Sequence, residues 1–245
     1  MYLYKNENEN FMYEKNDKFI IFFGDSQSCN VDYRTPAFDG FCESFAQNHG
    51  LNKILFNKQV HGANGFLINS IKLVHDFKNI ENEGDFLITD QKHVGIGVLT
   101  ADCLPILFYD LKNHVAAAIH AGWRSSVAEI CKATFNEMNK KYGTAAKDLQ
   151  VYLGPCAKSC CYQVQSDFLL NLKQFLFQDQ VIQTRGQDLF FDNVLLNKLL
   201  MQDFGVDPQN INGDYNLCTI CNRSFCSYRR DPRACCRQFS FIALI

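Results

Sequence analysis

Three short segments of the sequence combine polar side chains with glycine or proline inside apolar surroundings. They are Gln59-Val60-His61-Gly62, Thr100-Ala101-Asp102-Cys103-Leu104-Pro105 and His120-Ala121-Gly122-Trp123-Arg124. Each lies at the end of a predicted strand, which is where α/β proteins place their functional side chains. The sequence therefore predicts one site that is built from these three segments.

Two histidines and one cysteine of these segments form a ligand set that suits zinc. Imidazole nitrogen and thiolate are preferred ligands of Zn²⁺, and three protein ligands with the fourth position open are typical of catalytic sites. We therefore predict a metal site at His61, Cys103 and His120, whose open position would hold an activated water. The alternative interpretation is a pair of hydrogen-bonded histidines at strand ends, beside a buried thiol.

The same residues allow a second kind of chemistry. Cys103 is a candidate thiolate nucleophile with His120 or His61 as its base, and the protein would then be a metal-free cysteine hydrolase. Asp102 is a candidate to orient a ligand histidine or to move a proton; its alternative is a turn aspartate that bonds its own backbone. Cys103, His120 and Asp102 are thus the candidate catalytic residues.

The composition is that of an ordinary globular protein. Of 245 residues, 47% are hydrophobic and 20% charged, which excludes wholesale disorder, and the net charge of −2 argues against a nucleic-acid platform. We find no secretory signal and no run of about 18 apolar residues, so we expect a cytoplasmic protein without a membrane span. In a reducing cytoplasm, the twelve cysteines are expected to be core residues, metal ligands or reactive thiols rather than six disulfides.

The hydrophobic patterning predicts one α/β domain over residues 19–245, preceded by a polar, frayed or edge segment over 1–18. Helical spacing and caps predict helices after Thr35-Pro36, over 127–142, after Ser166 and after Asp192. Several predicted strands are apolar without alternation, as in strands covered on both faces. The predicted strands are 19–23, 53–60, 85–89, 94–99, 104–109, 114–120, 149–153 and 238–245.

Several longer motifs, which occur in the order in which the family has them, make the chain resemble the YfiH-type family. This family is also called the laccase-domain or polyphenol oxidase family. ADC at 101–103 followed by HAGWR at 120–124 carries most of the resemblance. It covers nearly the whole chain from about residue 19. The supporting motifs are QVHG at 59–62, GDFLIT at 84–89, LGPC at 153–156, CYQV at 161–164, CT at 218–219 and SYRRD at 227–231.

This resemblance implies an α/β fold in which mixed β-sheets are stacked between helical layers in a single domain. It implies a metal site at His61, Cys103 and His120, holding zinc or, as the other option, copper. It also implies a purine nucleoside phosphorylase that acts on adenosine, inosine, guanosine and S-methyl-5′-thioadenosine, with adenosine deaminase activity. The expected partners are these nucleosides and phosphate, and the sequence gives no oligomeric state.

Phosphorolysis needs a place for a phosphate dianion. Arg124, together with the backbone N–H groups that follow Gly122 at a strand-to-helix turn, is the first candidate. Arg229 and Arg230 are further candidates, and their alternative is a surface ion pair. Tyr162 is a candidate substrate-binding residue of the pocket wall, with packing in the core as its alternative.

The resemblance is incomplete at some positions. Gln163 stands where the family has a glutamate, and Cys235-Cys236-Arg237 stands where it has Thr-Gly-Arg. A copper-dependent polyphenol oxidase is the alternative function. Multicopper oxidation needs several sites rich in histidine, whereas the chain has six histidines, four of which match no motif.

The remaining cysteines form two groups in the sequence. The C-terminal group predicts a structural zinc knot or a redox pair, which would suit a binding module, although Cys218 is also accounted for by the family's Cys-Thr position. The other group lies by a Gly-Pro turn, where we expect ordinary roles in a pocket wall or in the core. The first group is Cys218, Cys221, Cys226, Cys235 and Cys236, and the second is Cys156, Cys160 and Cys161.

Overall fold

The structure is a computed structural model that describes residues 2–4, 12–29, 31–233 and 236–245. The helices are α1 Ala37–Asn48, α2 Ile71–Asp76, α3 Trp123–Val127, α4 Ile130–Tyr142 and α5 Asn193–Asp203, with 3₁₀ turns at Ala146–Asp148, Ser166–Leu172, Gln178–Val181 and Pro208–Asn210. The strands are β1 Tyr2–Tyr4, β2 Met12–Lys15, β3 Phe19–Phe23, β4 Lys53–Phe56, β5 Gly65–Ile68, β6 Phe86–Thr89, β7 Val94–Thr100, β8 Leu104–Asp110, β9 Val115–Ala121, β10 Leu149–Leu153, β11 Gln163–Val164, β12 Ile182–Arg185, β13 Asp188–Phe191, β14 Ile211–Asn212 and β15 Gln238–Leu244.

The described strands form two six-stranded sheets and one three-stranded sheet. Sheet 1 has the strand order β1-β2-β3-β15-β7-β4, and sheet 2 has the order β14-β10-β8-β9-β6-β5. Sheet 3 has the order β11-β13-β12. The pairs β4–β7, β5–β6 and β10–β14 are parallel and their neighbours are antiparallel, so sheets 1 and 2 are mixed, as predicted.

Sheets 1 and 2 pack face to face between helices. Their shared core includes Ile21 and Ile96 from sheet 1 and Leu107 and Ala118 from sheet 2. Helix α1 covers the outer face of sheet 1, while α4 and α5 cover the outer face of sheet 2. The predicted layering, with mixed sheets between helical layers in one domain, is confirmed.

Strand β9 shows why several strands are apolar without alternation. Val115, Ala117 and Ile119 pack toward the helices, whereas Ala116 and Ala118 pack toward sheet 1. Both faces are covered, so every position of the strand is buried. Successive side chains of a strand point to opposite faces, and residue 120 therefore lies on the side of sheet 1.

Some element boundaries differ from the predicted ones. The apolar stripe over 127–142 is split between α3 and α4, because Glu129 adopts a left-handed conformation with φ of 55°. The helix expected after Ser166 is a 3₁₀ turn that ends at Leu172, and Leu172, Phe175 and Val181 pack into one cluster with α5. Asp192 caps α5 as predicted, and its carboxylate accepts the N–H of Leu195 at 2.9 Å.

The polar N-terminal segment contributes strands β1 and β2 to the edge of sheet 1. Its residues 1 and 5–11 lie outside the described part of the chain. Among the described residues, no helix combines the length and the apolar character that a membrane crossing requires.

The cysteine groups are arranged differently from the predicted knot. Cys226 and Cys236 form a disulfide with each other, and Cys235 lies outside the described residues. Cys218 and Cys221 gather instead with Cys160 and Cys161, which were expected to be ordinary wall or core residues. Cys160 is exposed, so it is not a core residue; Cys156 is buried in the core as expected.

Two chain crossings between the sheets place segments of the predicted site next to each other. The loop 57–64 leads from β4 in sheet 1 to β5 in sheet 2, and the turn 101–103 leads from β7 in sheet 1 to β8 in sheet 2. Strand β4 ends at Phe56, four residues before the end of the predicted strand 53–60. Directly after it, the Asn57 side chain donates to the carbonyl of Phe86 in sheet 2 at 2.9 Å. The two crossings and the end of β9 carry the three predicted site segments.

Candidate active site

The structure brings His61, Cys103 and His120 together, and we refer to these three residues as the ligand trio. Their ligand atoms all lie within 4.8 Å of one another, and Nε2 of His61 is 3.8 Å from Sγ of Cys103. His120 is buried, whereas His61 is exposed and Cys103 is half-buried. Two imidazoles and a thiolate that face a partly open space fit a metal ion with one free coordination position.

Asp85 holds the ligand trio from behind. It is only 1% exposed, and its Oδ1 lies 2.8 Å from Nδ1 of His120. The same carboxylate accepts the backbone N–H groups of His61 at 2.9 Å and Gly62 at 2.7 Å. Burial alone would raise the pKa of Asp85, but His120 and these N–H groups lower it, so the carboxylate stays charged.

Asp85 was not among the residues predicted for the site. It is the second residue of the GDFLIT motif and lies directly before β6, whereas the apolar pattern predicts a strand that begins at this residue. A charged residue next to a fully buried strand is costly unless it is paired, and that cost is the signal that could have identified Asp85. Its contact with His120 leaves Nε2 of that ring for a metal, which is the usual role of a carboxylate behind a ligand histidine.

The backbone around the ligand trio is shaped for close approach. A Cβ at Gly122 would lie 2.8 Å from Cδ2 of His61 and 3.2 Å from Sγ of Cys103, so a glycine is needed there. His61 and Asp102 have φ values of 62° and 86°, in the left-handed region. The loop that carries His61 is tied to β7 by Gln59, whose amide donates to the Leu99 carbonyl and accepts the Leu99 N–H, both at 2.7 Å.

Asp102 contacts neither of the ligand histidines. Its Oδ1 accepts a hydrogen bond from the Thr219 hydroxyl, and its Oδ2 accepts the backbone N–H of Arg229, both at 2.7 Å. It therefore joins the turn that carries Cys103 to the segment that carries Arg229. The carboxylate that contacts a ligand histidine is that of Asp85.

The electrostatics of the ligand trio favour a thiolate. Burial raises the pKa of Cys103, but His120 and His61 more than offset this effect and lower it to about 6. Burial lowers the pKa of His120, but Cys103 and Asp85 raise it to about 9. The thiolate form is the one that binds metals and acts as a nucleophile.

The ligand trio opens into a cavity of about 730 Å³. The cavity wall carries positively charged and aromatic side chains, and Asp102 is its one acidic residue among those described. The positively charged side chains are Arg34, Lys58, Arg124, Arg229 and Arg237, and the aromatic ones are Tyr33, Trp123, Tyr162 and Tyr228.

The predicted arginines differ in what they contact. The guanidinium of Arg124 lies over the ring of Trp123, 4.4 Å from its centroid, and forms no hydrogen bond to another described residue. Arg229 lies over the ring of Tyr162 at 4.9 Å and donates from Nη1 to the Gln163 carbonyl at 2.8 Å. Arg230 is not part of the cavity wall; its guanidinium donates to backbone carbonyls, including that of Thr219 at 2.8 Å.

Comparison with known proteins identifies the family. A family model described as multi-copper polyphenol oxidoreductase laccase matches residues 41–245. The chain belongs to this family. A Clostridium acetobutylicum protein named purine nucleoside phosphorylase is 30% identical over 246 residues, which cover 99% of both chains. A Borreliella burgdorferi protein of the same name is 36% identical over 182 residues, covering 73% of this chain and 74% of that protein.

A solved structure supports the fold. The crystal structure of the hypothetical protein YfiH from Bacillus licheniformis has a TM-score of 0.79 at 21% identity, and the match covers 93% of both chains. Together with the family model and the Clostridium relative, this fold confirms the predicted membership of the YfiH-type family.

Proposed function

We propose that the protein is a zinc-dependent purine nucleoside phosphorylase that acts on adenosine, inosine, guanosine and S-methyl-5′-thioadenosine. The observation that carries this proposal is a soft metal-ligand trio that opens into a cavity lined by arginines and aromatic rings. The two relatives named above bear the name of this activity. The reducing cytoplasm suits a working thiolate, and we propose it as the compartment.

The ligand trio would hold the metal. Nε2 of His120 is free for it because Nδ1 contacts Asp85, and Cys103 meets the need for a deprotonated sulfur. When bound, zinc supplies a Lewis acid and an activated water at its open position. Two imidazoles and one thiolate suit zinc, and no methionine is among the described residues of the cavity wall to serve as the axial thioether of a copper site.

Phosphate would bind between Arg124 and Arg229. Guanidinium groups bind phosphate oxygens in pairs of parallel hydrogen bonds. Arg124 has all its donors available, and its stacking on Trp123 limits the freedom that binding would remove. Arg229 uses one donor on the Gln163 carbonyl and also interacts with the Tyr162 side chain, which leaves further donors for phosphate. Asp102 fixes Arg229 through its backbone N–H, so we assign it a positioning role.

The purine would bind against the aromatic side chains. Flat rings bind heteroaromatic bases by offset stacking, and the cavity offers Tyr33, Trp123, Tyr162 and Tyr228. A cavity of about 730 Å³ is large enough for a nucleoside with phosphate beside it. In phosphorolysis, a phosphate oxygen bonds to C1′ of the ribose, and the bond between C1′ and the purine nitrogen breaks. The purine leaves with the electron pair and takes up a proton.

Adenosine deaminase activity is the second candidate at the same site. The exposed side of the ligand trio leaves a metal position for water, and deamination of adenosine requires such an activated water. One experiment tests both activities: the protein is incubated with adenosine, with and without phosphate, and the products are identified. Adenine formed only with phosphate supports phosphorolysis, and inosine formed without phosphate supports deamination. If neither adenine nor inosine is formed, the proposal is contradicted.

A metal-free cysteine hydrolase is the rival interpretation. Cys103, His120 and Asp85 form a chain of thiol, imidazole and carboxylate, which is the arrangement of a nucleophile, its base and an orienting group. Metal analysis separates the two. A purified protein with no zinc, whose Cys103 is alkylated rapidly, would favour the hydrolase.

The copper oxidase alternative finds less support. Among the described residues, His61 and His120 are the only histidines gathered with other metal ligands. His49 stacks on Phe45, and Nδ1 of His114 lies 2.9 Å from the Tyr109 hydroxyl. The histidine-rich sites that multicopper oxidation needs are therefore not formed by these residues. Oxidation of a polyphenol by copper-loaded protein, with no product from adenosine, would reverse this preference.

A further inference from the structure

Four cysteines gather outside the ligand trio, and we call them the four-cysteine cluster. Cys160 and Cys161 come from the turn that follows β10, and Cys218 and Cys221 come from the loop that follows β14. The four sulfur atoms all lie within 4.8 Å of one another. All four are free thiols, whereas the disulfide of the described chain joins Cys226 and Cys236.

We propose that the four-cysteine cluster is a second metal site, which binds one zinc ion in a closed, structural coordination shell. Four thiolates are a complete set for tetrahedral zinc. With zinc–sulfur bonds of about 2.3 Å, the sulfurs of such a site lie about 3.8 Å apart. The cluster needs only a small contraction of its side chains to reach that geometry. This site does not depend on the activity proposed for the ligand trio.

The main chain already aligns the two halves of the cluster. Cys156 and Cys218 form a parallel bridge, in which the Cys156 N–H donates to the Leu217 carbonyl at 3.0 Å and the Thr219 N–H donates to the Cys156 carbonyl at 2.9 Å. The Lys158 ammonium also donates to the Asn216 carbonyl at 2.9 Å. Binding therefore requires little ordering of the backbone, which favours affinity.

Hydrogen-bond donors surround the sulfur of Cys218. They are the backbone N–H groups of Cys221, Lys158 and Ile220. In metal–thiolate centres, the ligand sulfurs commonly accept hydrogen bonds from groups around them. Cys218 and Cys221 also have the Cys-x-x-Cys spacing that zinc knots use.

A disulfide pair explains the cluster less well. A redox pair needs two sulfurs, whereas here four approach one another, two from each segment. Both segments are connected to the cavity wall. Tyr162 of the wall follows Cys161, and Thr219, which follows Cys218, donates a hydrogen bond to Asp102 of the wall. Zinc at the cluster would hold these two parts of the wall together.

The test counts zinc in the full chain, purified under reducing conditions from zinc-supplemented cells. We expect about two zinc ions per wild-type chain, and about one in each of Cys103→Ala and the double variant Cys160→Ser/Cys221→Ser. Cys29→Ser removes a half-buried cysteine away from both sites, and this control should keep about two. Wild-type protein with one zinc that disappears in Cys103→Ala would overturn the proposal, as would a disulfide within the cluster.

A second measurement keeps the proposal testable if the double variant does not fold. Cys103→Ala protein, stripped of metal and refilled with Co²⁺, should show the intense thiolate-to-cobalt charge-transfer absorption of a four-sulfur tetrahedral centre. Absence of that absorption in folded Cys103→Ala protein would overturn the proposal. Its presence would support the proposal without any measurement of activity.

Discussion

The ligand trio and the four-cysteine cluster differ in how many ligands they offer and in what supports those ligands. The trio offers three ligands, opens into a cavity and is held by the buried carboxylate of Asp85. The cluster offers four sulfurs and is held by main-chain hydrogen bonds between two segments. A site that leaves a coordination position free suits chemistry, and a site that fills every position suits stability.

The difference also shows in the charge that surrounds each site. The Asp85 carboxylate at Nδ1 of His120 increases the basicity of the imidazole and fixes the orientation of its Nε2. Backbone N–H groups around Cys218 stabilise negative charge on sulfur without adding a titratable group. The two sites thus use different supports for the same requirement, which is a deprotonated ligand.

The largest expected effect is the difference in phosphorolysis activity between Cys103→Ala and Cys221→Ser. Removing a ligand of the trio should lower phosphorolysis by about 10³-fold or more, because metal-ion catalysis contributes several kcal/mol. Cys221→Ser should keep most of its turnover, and its unfolding temperature should fall by several degrees. Steady-state kinetics and thermal unfolding measure the two effects. Equal loss of activity in both variants would remove the functional distinction between the sites.

The next largest effect concerns the support of the trio. Asp85→Asn should weaken zinc binding at the trio by about 10- to 100-fold, because it removes the charge that orients His120. Zinc at the four-cysteine cluster should be retained. Competition with a chelator measures both affinities, and Asp167→Asn, at an exposed position, is the matched control. An unchanged affinity of the trio in Asp85→Asn would show that the buried carboxylate is not its support.

A smaller effect is expected at the cavity wall. Arg124→Gln should raise the KM for phosphate by about tenfold, as expected for the loss of a charge-assisted hydrogen bond. The KM for the nucleoside and the zinc content of both sites should change little. Arg233→Gln, at an exposed arginine outside the cavity, is the control. A larger change for the nucleoside than for phosphate would place the phosphate elsewhere.

The smallest effect is a difference in thiol reactivity in metal-stripped protein. Alkylation of Cys103 should rise with pH around its pKa of about 6 and level off near neutrality, because the thiolate forms early. Burial raises the pKa of Cys160, so its alkylation should still increase in alkaline solution. Mass spectrometry of the alkylated peptides gives both profiles. In His120→Ala the Cys103 profile should move to higher pH, and an unmoved profile would contradict the assigned cause.

The fold was predictable where hydrophobicity dominates. Strands at 19–23, 94–100 and 104–110 are buried on both faces, and their continuous apolar runs show it directly. The short strands of sheet 3 are partly exposed and mixed in character, so neither their period nor their length distinguishes them from loops. The break at Glu129 depends on a left-handed residue that no periodicity reveals.

The candidate site was predictable as far as its ligand types were unusual for their surroundings. His61, Cys103 and His120 follow from the preference of zinc for nitrogen and sulfur, whereas Asp85 adjoins the apolar run of β6 and reads as part of it. The four-cysteine cluster was missed because its halves are remote in sequence. Cys160 and Cys161 meet Cys218 and Cys221 only through the pairing of the segments at Cys156 and Cys218.

Strand β15 has a consequence for how the protein is made. It is the last element of the described chain, yet it pairs with β3 on one side and with β7 on the other in the middle of sheet 1. During synthesis, β3 and β7 emerge from the ribosome long before the strand that joins them. Their apolar edges must wait uncovered until residues 238–244 arrive, a state in which nascent chains aggregate. The growing chain therefore has most need of a chaperone just before its synthesis reaches that strand.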